Sequence, residues 1–127
     1  MYYPYFRGKQ YELIAIRENA RLLKEAGFVP IIEPVKESLN GLLRTLAEVA
    51  KVGGRAILVA NPNYGDHSDD RRAIQDLFKK QLWGLGNISV GLLVTSDSSV
   101  ETLKNECVQH GQREVSLIHC GTPIVAH

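Results

Sequence analysis

Hydrophobic and polar positions along this chain switch between two periods. Tyr2–Phe6 is short and aromatic, the composition of a strand. Over Gln10–Ala26 the period becomes helical. Leu13, Ile16, Ala20 and Leu23 fall on one stripe, and Arg17, Glu18, Arg21, Lys24 and Glu25 stay off it. Gly27 suits the left-handed turn that closes a helix. Phe28–Pro34 reads as a second strand, and Pro30, which has no ladder donor, belongs at its start.

Ser38 is an N-cap candidate for a second helix. Leu39, Leu42, Leu43, Leu46, Val49 and Ala50 form the apolar face of that helix, and Gly53-Gly54 ends it. Arg55–Asn61 holds the nearly continuous apolar run Ala56–Ala60, expected of a parallel strand buried on both faces. After the polar loop Asn61–Asp70, a third helix is expected to about Trp83, with Ile74, Leu77 and Phe78 inward. Ile88–Thr95 reads as a fourth strand. Ser98-Ser99-Val100-Glu101 matches a capping box opening a fourth helix, with Val100, Leu103 and Cys107 inward. Glu114–Cys120 reads as a fifth strand, and Gly121–His127 shows no helical pattern.

Strand starts near positions 2, 29, 55, 88 and 115 give the rhythm of βα units, hence a parallel α/β sheet. Two architectures fit. One is the N-terminal part of a TIM-like (β/α)8 barrel, which takes roughly 250 residues. The other is a five-stranded open doubly wound sheet. A doubly wound domain normally covers its last strand with a terminal helix, and none is legible after Cys120. That favours the barrel and a natural protein continuing past His127; otherwise the fifth strand is an edge, open to pairing in a homodimer. In either case residues 1–127 make one α/β domain or partial barrel.

Composition narrows the function classes. The 127 residues are 44% hydrophobic and 23% charged, which excludes a disordered or low-complexity chain. Lys plus Arg is 15 against 14 Asp plus Glu, a net charge of +1, so charge gives no case for nucleic acid or an anionic membrane surface. The N-terminus lacks the pattern of a secretory signal, and no apolar run approaches the roughly 20 residues of a membrane span. The two cysteines, Cys107 and Cys120, have no close spacing, which argues against a disulfide framework or zinc knuckle. A cytoplasmic protein with reduced thiols is the expectation. Phosphate-loop and dinucleotide fingerprints are missing, as is a nucleophile elbow, so no cofactor is expected.

Both architectures place function at the C-terminal ends of the strands. Arg7, Gly8 and Lys9 stand after the first strand, and Glu33 and Lys36 after the second. Asn61, Asn63, Asp66 and His67 follow the third, Ser96 and Asp97 the fourth, and His119 sits near the end of the fifth. Arg7 and Lys9 can hold a phosphate or carboxylate, and Glu33 can serve as a general acid or base. Lys36, Asn61, Asn63 and Asp97 add ligand-binding capacity. Loops over such sheets are polar in any case, so most of these residues are equally explained as turn residues. Glu33 stands out because it directly follows Val29-Pro30-Ile31-Ile32, where a buried carboxylate needs partners. Asp66, His67 and Asp69 are metal-ligand types, but their spacing matches no established pattern, and no metal is assigned. Cys120 and His119 are adjacent on a strand and point to opposite faces, against a direct dyad.

Tyr3-x-Tyr5, Arg7-Gly8-Lys9-x-x-Glu12-x-x-Ala15 and Val29-x-Ile31-Ile32-Glu33-Pro34 resemble the opening of the phage beta-protein family. The resemblance covers mainly residues 2–36, with a looser match through Asn61-Pro62. It implies a barrel-sized protein, with Lys9 and Glu33 at motif positions. It also implies bacterial relatives encoded beside predicted nucleases in mobile or defence-related loci. Arg7-Gly8 departs from the family pattern, and no reaction carries over. Two functions follow as expectations. One is a barrel enzyme or binding domain for a small anionic ligand, with Arg7 and Lys9 holding the anion and Glu33 as acid or base. The other is a non-catalytic partner of a nuclease-like protein in a phage-defence or mobile-element system.

Overall fold

The computed structural model describes residues 2–34, 40–60, 76–77, 85–94, 115–119 and 125–126. In chain order the elements are β1 (Tyr5–Arg7), α1 (Gln10–Glu18), α2 (Ala20–Glu25), β2 (Ile31–Glu33), α3 (Asn40–Lys51), β3 (Ala56–Val59), β4 (Ile88–Val94), β5 (Val115–His119) and β6 (Val125–Ala126). Strands β1 to β5 pair in parallel, as the βα rhythm implies, and in sequence order, which the rhythm leaves open. The third and fourth expected helices fall largely or wholly outside the described residues, as do Ser38, the Ser98–Glu101 capping box and Cys107.

Among the described residues the sheet is open, with β1 and β6 at its ends. The open five-stranded parallel sheet of the second expectation is therefore present, and a closed barrel is not. Its winding differs from the doubly wound form. Sequential strand order has no reversal, and right-handed crossovers put helices on the same face, where the described helices α1, α2 and α3 lie. The core agrees with this. Leu13, Ile16 and Ala20 of the first helical segment and Leu42, Leu46 and Val49 of α3 pack with Ile32, Leu58, Val90 and Leu92 of the strands. The intervening strand residues form a second buried cluster, Val29, Ile31, Ile57, Val59, Leu93 and Ile118, with Tyr3 against it. Strict alternation along β3 and β4 separates the two faces.

Local chemistry sets the boundaries. The expected helix Gln10–Ala26 is two helices, because Asn19 leaves the helical conformation (φ −112°, ψ 16°). Its side-chain Nδ2 donates to the Ala15 carbonyl at 2.8 Å, beside the backbone bond to the same oxygen, and such back-bonding bends helices. Gly27 and Gly53 both adopt positive φ (75° and 78°) and close α2 and α3 in the same way. The amide of the following residue, Phe28 or Gly54, reaches back to the carbonyl of Leu23 or Val49 at 2.9 Å. β1 is Tyr5–Arg7 instead of Tyr2–Phe6. Tyr2 makes only an isolated bridge to Phe28, and Pro4 interrupts the donors between. Pro30 stands just before β2, as expected.

Two features were not legible in the hydrophobic pattern. Thr45 is buried on α3 because its hydroxyl donates to the Gly41 carbonyl at 2.8 Å and lies 3.3 Å from the Leu13 carbonyl of α1. The second is β6, within the segment that shows no helical pattern. It pairs antiparallel with β5 (Leu117 with Ala126, Ile118 with Val125) and covers two of the five residues of that strand's edge.

Candidate functional site at the C-terminal ends of β1 and β2

Phe6 packs on the helical side, so its neighbours Tyr5 and Arg7 belong to the opposite face. In β2, Ile32 is on the helical side, and Ile31 and Glu33 are on the other. The register then decides the rest: Tyr5 pairs with Ile31 and Arg7 with Glu33. The last residues of the two strands thus stand side by side, about 4.8 Å apart across the ladder. Arg7 is exposed, whereas Glu33 is only 1% exposed. Both make interactions within the chain, which is what a carboxylate at this depth requires.

The backbone folds tightly over this pair. The Gly8 amide donates to the Glu33 carbonyl at 2.7 Å, and the Lys9 amide donates to the Arg7 carbonyl at 2.7 Å. That second bond closes a three-residue turn. A side chain at Gly8 would begin 3.1 Å from the Glu33 carbonyl oxygen, tighter than ordinary contact. Lys9, exposed, is the N-cap of α1 and gives it no side-chain cap. The first amides of α1 therefore carry no side-chain acceptor from the N-cap, at an end where the helix dipole favours an anion.

An apolar surface lies next to Glu33 on the same face. Ile57 of β3 and Ile118 of β5 converge over Gly91 of β4, each coming within 2.8 Å of where a Cβ would be. With no side chain at Gly91, Ile57 and Ile118 take up the space over it within the buried cluster of this face. Ser89 and Ser116 are buried on the same face. The signal for Ser89 was present in Ile88-Ser89-Val90-Gly91-Leu92, where small residues alternate with large ones.

Of the residues singled out from the sequence, the structure brings together Arg7, Lys9 and Glu33. Lys36, Asn61, Asn63, Asp66, His67, Asp69 and Asp97 lie outside the described residues. His119 is described only by its backbone, which pairs with Val94 at the end of β5. Among the described residues, no group of three His, Cys, Asp or Glu side chains could hold a metal ion. In the same residues, no helix is long and apolar enough to cross a membrane. A separate groove of about 420 Å³ lies on the helical layer, lined by Arg17, Glu18, Arg44, Ala47, Glu48 and Lys51. Nη1 of Arg17 is buried there without a hydrogen-bond partner. Comparison with protein-family models, with curated proteins and with solved structures finds no match.

Proposed function

We propose that this chain binds a small anionic molecule at the C-terminal ends of β1 and β2, with Glu33 as the acid or base of any reaction there. The carrying observation is the placement of a buried carboxylate in register with Arg7, directly beneath the turn that leads to Lys9. Arg7 and Lys9 supply cationic donors, and the N-terminus of α1 adds oriented amides. Ile57 and Ile118, buried on the same face, keep the neighbouring surface apolar, where charge on a ligand is felt more strongly than in water. Lys36, Asn61, Asn63 and Asp97 belong to the same proposal as ligand-binding residues from later strand ends. The setting proposed is the cytoplasm, with both thiols reduced.

The larger architecture in this reading is the first part of a (β/α)8 barrel. Sequential parallel order, helices on one face and a buried opposite face all support it. A sixth parallel strand would need the edge that β6 occupies at Leu117 and Ile118. The intact mass of the native product tests this: a mass near 14.1 kDa refutes the barrel, and about twice that supports it.

The ligand reading is tested by titrating the isotopically labelled chain with inorganic phosphate and with a small dicarboxylate, following amide shifts. Saturable changes at Gly8, Lys9, Gln10 and Tyr11 are expected. Lys9→Ala should weaken binding about tenfold, the loss of one charge-assisted hydrogen bond. Glu33→Gln should leave the fold intact and abolish any turnover. Absence of saturable shifts with either anion, or identical affinities in the Lys9→Ala chain, refutes the site.

A further inference from the structure

The strand-end site leaves five charged side chains of the helical layer unused. Arg17 and Glu18 of α1 and Arg44, Glu48 and Lys51 of α3 line the groove of about 420 Å³ between these two helices. Arg44, Ala47, Glu48 and Lys51 follow the spacing i, i+3, i+4, i+7, so α3 carries them along one stripe. Arg17 lies one turn beyond Leu13, whose carbonyl faces Thr45 of α3, so it stands on the side of α1 turned toward α3. Opposite charges three and four residues apart on a helix are placed to pair. Here they do not: among the described residues, no ion pair joins the three cations to the two carboxylates. Nη1 of Arg17 is also shut off from solvent with no acceptor. A buried charged donor without an acceptor is costly.

We propose that this groove is a second binding site, for an oxyanion that also carries an O–H, with hydrogen phosphate the simplest case. Arg17, Arg44 and Lys51 can only donate hydrogen bonds, and the ionised Glu18 and Glu48 can only accept them. An oxyanion supplies the acceptors that the cations lack, and the planar guanidinium fork suits it. The Arg17 charge is delocalised over its head, so an anion in the groove offsets it without touching Nη1. Three cations against two carboxylates leave the lining with a net charge of +1, which favours an anion. The carboxylates then select among anions. Sulfate, which has no proton, meets two like charges and offers them no donor. Hydrogen phosphate donates its O–H to a carboxylate while its other oxygens accept from the cations. The groove is distinct from the strand ends, since Arg17 lies eight residues along from Lys9, about 12 Å of helix.

Titration of the isotopically labelled chain with inorganic phosphate and with sulfate, at neutral pH and constant ionic strength, tests the proposal. The side-chain Nε–H signals of Arg17 and Arg44 are the readout. Saturable shifts at both are expected with phosphate, and binding about tenfold weaker with sulfate. Arg17→Gln and Arg44→Gln should each weaken phosphate binding about tenfold. The double variant Glu18→Gln, Glu48→Gln should erase the preference for phosphate over sulfate. Lys9→Ala should leave the shifts at Arg17 and Arg44 unchanged, which separates this groove from the strand-end site. Far-UV circular dichroism confirms that each variant is folded, and Arg44→Gln, at an exposed position, carries the test if Arg17→Gln is not. Absence of saturable shifts at Arg17 and Arg44, or shifts confined to Gly8–Tyr11, overturns the proposal. So does sulfate binding as tightly as phosphate, or a preference indifferent to the loss of both carboxylates.

Discussion

A single methyl group at Gly91 should destabilise this protein measurably. The Cβ of Gly91→Ala would lie 2.8 Å from Ile57 Cγ2 and 2.8 Å from Ile118 Cδ1. Carbon atoms in contact settle at about 3.5–4.0 Å, so each neighbour must retreat by about 1 Å. The two neighbours differ in their freedom to do so. Cδ1 is the far end of Ile118 and can swing away. Cγ2 of Ile57 is bonded to its Cβ and moves only with χ1 or the backbone, both stiff in a β-branched residue on a strand. Overpacking of this kind costs about 1–3 kcal/mol. Ala recovers about 0.5–1 kcal/mol of that because Gly is the more costly residue to order in a strand. The net loss centres on about 1 kcal/mol, which lowers a urea midpoint by roughly 0.5 M at the usual slope. Equilibrium urea unfolding followed by far-UV circular dichroism reads it. In the double variant Gly91→Ala, Ile57→Ala, the new methyl enters the space left by the old one, so the pair should cost less than the sum of its parts. A Gly91→Ala chain as stable as the parent, or strictly additive effects, would refute the close approach of β3 and β5 over β4.

Two further outcomes follow from particular contacts. Thr45→Val keeps the shape but removes the hydroxyl that donates to Gly41 and faces the Leu13 carbonyl; it should cost about 1 kcal/mol, and Thr45→Ser should recover most of it, by the same urea assay. Gly27→Ala forces a side chain into φ 75° and should cost about 1–2 kcal/mol, whereas Gly86→Ala, with open space around its Cβ and no positive φ, should change stability by less than about 0.5 kcal/mol; a Gly27→Ala chain as stable as Gly86→Ala would count against the helix-closing motif.

The repeating alternation of strand and helix was legible because each element carries its own period. Ala56–Ala60 had to be a doubly buried strand, since its apolar run is continuous. Gly27 and Gly53 marked helix ends because few other residues tolerate their backbone angles. Glu33 could be singled out as a carboxylate at the end of an apolar strand. Position along the chain also placed Arg7 and Lys9 near a strand end.

Tertiary structure alone decided the rest. Strand order is a long-range choice, and one rhythm of βα units serves an open sheet and a barrel alike. That Arg7 stands beside Glu33 depends on the β1–β2 register, where a slip of one residue would place one of them on the helical face. Thr45 reads as a polar residue until two carbonyls, one from another helix, supply its surroundings. Gly91 reads as a weak strand residue until Ile57 and Ile118, 34 residues before it and 27 after it, are found over it. Periodicity and turn chemistry are local and are written residue by residue. Register, facing and close approach are set between segments far apart in sequence, and appear only when the whole chain packs.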